Sequence, residues 1–165
     1  VPTITDLKKL KDTLDFNDVR RAKIDRQIEA KRKKRDRPSP TKLTKEWAKD
    51  RGYEFDVVEQ RLPQTFITRD FCNFADAIMF HPSIGIVAVQ ITGSTDGGNH
   101  AARKAKIEAE PRAVAWLRAG GRVEVMSWSL RGAAGDPKAW KLRRDRALLG
   151  DSMSQRIGGW QEIEG

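Results

Sequence analysis

Apolar and polar positions divide the chain into two unlike parts. Over residues 15–37, DFNDVRRAKIDRQIEAKRKKRDR, apolar side chains are sparse: Phe16, Val19, Ala22, Ile24, Ile28 and Ala30. Good helix formers fill the gaps, so the spacing predicts a helix with a narrow apolar stripe that could pack on a domain or a second copy. Pro38-Ser39-Pro40 breaks that helix and sets a boundary, leaving residues 1–40 as a helical arm. Beyond it, Thr41 or Thr44 is predicted to cap a helix running to about Arg51, with Leu43, Trp47 and Ala48 inward and Gly52 as its stop. Tyr53 to Leu62 alternates through Phe55 and Val57 as a strand, and Pro63 to Thr68 reads as a loop.

The most apolar stretch is Phe74 to Thr92, FADAIMFHPSIGIVAVQIT, two strands turning at His81-Pro82-Ser83. Residues 99–110 and 111–119 read as helices, the second opened by Pro111 and closed by Gly120-Gly121. Val123 to Leu130 alternates as a strand. Ala139 to Leu149 fits a strand through Trp140 and Leu142 or a helix face through Trp140, Arg144 and Ala147; the strand is preferred. Asp151 to Gly165 reads as a loosely held tail with Trp160 as its tether. The expected fold is α/β: a central mixed sheet with helices on both faces, ordered α-β-β-β-α-β over residues 41–150, after the N-terminal arm.

Length and composition narrow the function. A chain of 165 residues supports one domain with a true core. Hydrophobic residues make up 38%, mean hydropathy is −0.65 and no run of 18 apolar residues occurs, so no membrane span is expected. Nothing near Val1 to Leu14 resembles a signal peptide. The single Cys72 excludes an internal disulfide and a cysteine zinc cluster, and it reads as a small filler beside Phe71 and Phe74. A reducing, cytoplasmic setting follows as the expectation. The two histidines, His81 in a turn and His100 near a helix start, form no zinc signature, and Gly93 to Gly98 lacks the ending of a P-loop.

The net charge of +9 points to a polyanionic partner, and +6 of it lies in the first 40 residues. Lys31, Arg32, Lys33, Lys34 and Arg35 are either a solvated helix end or a phosphate-binding arm that orders on nucleic acid.

Candidate chemistry sits in the apolar hairpin. Centred on Ser83, its register sets Asp76 opposite Gln90, at a Cβ separation of roughly 4.5–5.5 Å. Gln90 and Thr92 share a face, so a carboxylate, a carboxamide and a hydroxyl converge as a candidate metal site.

This order, with an acid on the second strand and Gln90-Ile91-Thr92 on the third, resembles the core of the PD-(D/E)XK nuclease superfamily over residues 41–128. The segments Arg69-Asp70-Phe71 and Phe74-Ala75-Asp76 are also similar to phage and bacterial nuclease-like proteins. The resemblance implies a restriction-endonuclease-like core and a homodimeric, Mg²⁺- or Mn²⁺-dependent endodeoxyribonuclease, junction-resolving or restriction-like, acting on DNA. It implies metal ligation by Asp76, Gln90 and the Ile91 carbonyl, joined by Glu46 from the preceding helix. Thr92 stands where the family has lysine and cannot supply its positive charge. That role is expected of Arg103, Lys104 or Lys106, with Lys106 preferred, while Arg103 and Lys104 are expected to contact DNA. The Gln-x-Thr departure equally suits a nuclease-like domain that binds DNA or serves assembly without cutting.

Overall fold

The computed structural model describes residues 3–13, 18–35, 37–61, 68–93, 98–133, 137–151 and 156–164. Phe16, most of the loop expected between Pro63 and Thr68, and residues 94–97 lie outside them. The chain divides into two units, Val1–Pro38 and Ser39–Gly165.

The first unit pairs α1 (Ile4–Thr13) with α2 (Asp18–Arg35). The sequence reading had the second helix but not the first. Its signal is a capping box: the Asp6 N–H donates to Thr3 Oγ1 at 3.2 Å, and the Thr3 N–H donates to Asp6 Oδ2 at 2.8 Å. Leu7 and Ile24 are buried in this unit, so the apolar stripe of α2 is used.

The second unit begins with α3 (Pro40–Asp50), capped by Ser39 rather than Thr41 or Thr44: its Oγ accepts the Lys42 N–H, and Pro40 occupies the first turn. Thr44 is instead fully buried, donating to the Pro40 carbonyl and accepting the Trp128 indole N–H, both at 2.9 Å. Then follow β1 (Glu54–Val57), the short pair β2 (Gln60–Arg61) and β3 (Thr68–Arg69), β4 (Ala77–His81) and β5 (Gly85–Gly93). Next come α4 (Gly98–Glu108), α5 (Pro111–Arg118), β6 (Arg122–Arg131), β7 (Ala139–Leu149) and β8 (Ile157–Ile163).

The result is an α/β unit with a mixed six-stranded sheet, ordered β1-β4-β5-β6-β7-β8 and flanked by helices. Only β5 and β6 are parallel, joined by the crossover through α4 and α5. The β4–β5 register runs from Ala77 opposite Val89 to His81 opposite Gly85. Its centre is Ser83, as expected, although the turn occupies residues 82–84, one position later than predicted.

Alternation along β5 assigns the two layers. Val87, Val89 and Ile91 pack with Trp47 and Ala48 of α3, while Ala88 packs with Ile107 of α4 and Ala113 of α5. The α3 face also holds a buried ionic group. Glu124 accepts from Arg144 at 2.8 Å and from Arg146 at 2.9 Å, and the Arg144 guanidinium lies 4.3 Å from the Trp47 ring centre.

The expected tail contains β8, paired antiparallel with β7, so residues 157–163 close the sheet instead of trailing from it. Trp160 is its tether, donating to Glu108 at 2.6 Å. No helix among the described residues is long and apolar enough to cross a membrane.

Candidate functional site

The site forms where β4 begins and β5 passes beyond it. Cys72 and Asn73 both have positive φ, 50° and 63°, which folds the chain sharply between Asp70 and Asp76. The Phe71 N–H bonds to the Ala75 carbonyl at 2.8 Å and the Asn73 N–H to the Asp70 carbonyl at 3.1 Å, closing this loop. Left-handed backbone at a cysteine is uncommon, and such strain concentrates at functional positions. Asp76 is clamped by its backbone. Its N–H bonds to the Val89 carbonyl at 2.9 Å, and its carbonyl accepts the N–H groups of Val58 and Glu59. Its side chain is thereby aimed at β5.

There Asp76 Oδ2 accepts two bonds, from Gln90 Nε2 at 2.5 Å and from the Ile91 N–H at 2.8 Å. Among the described residues Oδ1 accepts none, so its lone pairs remain available. Ile91 lies past the end of the β4 pairing, and a strand residue sends its N–H and C=O to the same side. The Ile91 carbonyl therefore leaves β5 on the edge where Asp76 sits.

From the α4 side, Lys106 reaches the same place. Its ammonium pairs with Asp70 Oδ2 and lies 3.4 Å from Gln90 Oε1. Burial raises the Asp76 carboxyl to about 6, with the negative charge of Asp70 adding to that effect and the Ile91 N–H opposing it. Beside Asp70 opens a cleft of about 200 Å³, lined by Val58, Arg69, Phe71 and Arg112 among others.

The structure thus brings Asp76, Gln90, Ile91 and Lys106 together and adds Asp70, which was not among the expected ligands. The signal for Asp70 was present in the Arg69-Asp70-Phe71 resemblance. Other expected members lie elsewhere. Glu46 is exposed on α3, 3.9 Å from Lys42, and does not join the Asp76 group. Thr92 is buried opposite Ser127, one alternation beyond Gln90, and faces a different polar group. Lys104 is not a free phosphate ligand, because its ammonium is bound to Asp145 at 2.6 Å and lies over the Trp160 ring. Arg103 is half-buried on α4. Lys31 is half-buried and Arg32 exposed on α2, while the side chains of Lys33, Lys34 and Arg35 lie outside the description.

A second polar group was missed altogether. His100 Nδ1 lies 2.8 Å from Ser127 Oγ, and its buried Nε2 lies 3.2 Å from Asp145 Oδ2, too far off line for a well-directed bond. Burial pushes the His100 imidazole down, toward the neutral form. Burial alone would raise the Asp145 carboxyl, but Lys104 and His100 outweigh it and hold it low.

For a divalent ion the Asp76 group offers two carboxylates, one carboxamide and one backbone carbonyl. No cluster of three His, Cys, Asp or Glu side chains occurs among the described residues. All-oxygen donors with few charges suit a hard, partly hydrated ion such as Mg²⁺, and not zinc. Comparison with protein-family models, curated proteins and solved structures finds no match for the chain, so its function is argued from this chemistry.

Proposed function

We propose that the chain is a divalent-metal-dependent endodeoxyribonuclease with a restriction-endonuclease-like core. The supporting observation is Lys106: a cation carried by α4 reaches the Asp76–Gln90 pair and stands in for the charge that Thr92 lacks. Asp76 Oδ1, Gln90 Oε1 and the Ile91 carbonyl are the groups that would hold the ion. Bound there, Mg²⁺ or Mn²⁺ supplies Lewis acidity toward a phosphate oxygen and acidifies a coordinated water.

The chain's own residues do the rest. Asp76 must be ionised to serve, and its raised carboxyl is ionised above about pH 6. The Ile91 N–H and Gln90 amide fix its orientation. Asp70 holds the Lys106 ammonium beside Gln90, where it offsets the negative charge that builds on the phosphate oxygens in the transition state. The basic residues of α2 add attraction for a polyanion that is independent of sequence. A homodimer making one cut per copy is the simplest way to break both strands.

The test is cleavage of linear, nicked, single-stranded and four-way DNA in Mg²⁺ and Mn²⁺, with Asp76→Ala as the control. Cleavage by the wild type and none by the variant supports the assignment. A wild type that cuts no form in Mn²⁺ removes it. The second reading, a DNA-binding domain without hydrolysis, draws on the two protein donors that already occupy Asp76 Oδ2. It predicts salt-sensitive DNA binding that Asp76→Asn leaves unchanged.

A further inference from the structure

The second polar group opens onto a cavity of about 360 Å³ on the α4 face of β6 and β7. It is lined by His100, Ser127, Ser129, Arg131, Lys141 and Arg143, with Glu162 as the one acid. It lies toward the carboxyl ends of the parallel strands β5 and β6 and beside the first turn of α4, where open α/β sheets place their ligands. Among the described residues neither Arg131 nor Lys141 has a carboxylate partner. Arg143 has only long contacts, 3.4 Å to Asp145 and 4.0 Å to Glu162. Lys104 already occupies Asp145, so that acid does little to cancel the three cations at the mouth. Two serine hydroxyls and three cationic side chains around one polar cavity match the donors that a phosphate monoanion or diester accepts.

We propose that this cavity is a phosphate subsite that seats a backbone phosphate of the same DNA strand that is cut at the Asp76 group. The proposal rests on the nuclease reading. Ser127 lies one strand over and one alternation along from Gln90, and Ser129 one alternation farther. Strand geometry makes those separations about 8 and about 14 Å. The rise per phosphate is about 3.4 Å along the helix axis. Phosphates wind around its outside, however, so neighbours on one strand lie about 7 Å apart and the seated phosphate is the first or second from the scissile one. Thr92, opposite Ser127, lies on the path between the two positions. The subsite thereby fixes the register of the strand on the enzyme, a positioning role separate from the chemistry at Asp76.

The experiment uses the full chain and labelled duplexes in which one phosphate at a time is replaced by a neutral methylphosphonate. Binding is followed by fluorescence anisotropy across a salt series. The double variant Arg131→Gln/Lys141→Gln is compared with Lys42→Gln/Lys49→Gln, which removes equal charge from exposed positions on α3. The expected result is a loss of tenfold or more in affinity for the first variant and less than twofold for the second. The slope of log affinity against log salt falls by about 2 for the first variant. A methylphosphonate at the first or second position weakens the wild type several-fold and leaves the first variant indifferent. Equal losses for both variants, or a methylphosphonate effect that persists without Arg131 and Lys141, overturn the subsite while leaving the nuclease reading intact. A wild type that binds but does not cut sinks the nuclease reading alone, and the methylphosphonate scan still decides the subsite. A wild type that binds no DNA sinks both.

Discussion

Replacing Asp76 by Asn should stabilise the protein at pH 8 and not at pH 4.5. The carboxyl titrates at 3.8 in an unfolded chain and at about 6 in the fold, because burial disfavours its charge. A carboxyl raised by folding contributes stability below its unfolded value, and that contribution is lost as pH rises through the folded value. The gap corresponds to about 3 kcal/mol, which solvent screening of a half-buried group reduces to about 2 kcal/mol. Asn keeps an oxygen for the Ile91 N–H, and the Gln90 amide can turn to meet its nitrogen, so the substitution removes charge while both contacts can persist. Groups other than Asp76 contribute equally to both proteins, and Asp145, held low by Lys104 and His100, titrates below this range. The readout is therefore the difference between the two proteins at each pH. Urea unfolding by tryptophan fluorescence suits this measurement, since Trp47, Trp116, Trp128, Trp140 and Trp160 all lie in the second unit. About two-thirds of the Asp76 titration range lies above pH 4.5, so the variant's advantage over wild type should grow by about 1.3 kcal/mol between pH 4.5 and pH 8. Mg²⁺ at tenfold over its dissociation constant should return about 1.4 kcal/mol to the wild type at pH 8 and nothing to the variant. A difference that stays flat across this range, or that runs the other way, would refute the argument that burial disfavours the Asp76 charge.

Four further outcomes follow from the geometry. Lys106→Met should lower the DNA cleavage rate about 10²–10³-fold with binding affinity little changed, and wild-type rates in single-turnover assays would remove Lys106 from the chemistry. Glu124→Gln leaves Arg144 and Arg146 without their carboxylate and should lower stability by about 3–5 kcal/mol in urea, with no effect on the response to Mg²⁺. Gly121→Ala places a methyl group on the Trp116 indole, whose N–H bonds to the Arg122 carbonyl at 2.9 Å; a thermal melt should show a loss of about 1–3 kcal/mol. A chain starting at Ser39 should keep the urea midpoint of the full protein, because the two units are separately compact, while its DNA affinity and salt dependence fall.

The sheet could be read from the sequence where pairing is local or alternation is clean. The hairpin register follows from one turn, and Ala139–Leu149 is β7 because Trp140 and Leu142 alternate on a face that covers the α3 core. The eighth strand could not be read. IGGWQEI carries two glycines and little alternation, and what holds it is β7 together with the Trp160–Glu108 bond formed 52 residues away. Glu124 was hidden for a related reason. Alternation in VEVMSWSL identifies a strand, but no local pattern shows that one acid on its α3 face is matched by two guanidinium groups arriving on β7.

The site divides along the same line. Asp76 and Gln90 meet because hairpin arithmetic is local, whereas Lys106 and Asp70 depend on tertiary folding: a helix packed through Ile107 and a loop turned by two left-handed residues. Thr92 shows why motif position alone misled. Alternation puts it on the same face as Gln90, yet one alternation along a strand is about 6.6 Å, farther than a hydroxyl can reach to join the Asp76 group. That step carries Thr92 to Ser127 and the His100 group instead. A lysine at this position would have the length to span the gap, and a threonine does not. On the nuclease reading proposed above, a chain with Thr92 takes its cation from another element, and α4, which also carries Lys104 to Asp145, is the element whose packing brings Lys106 to Gln90.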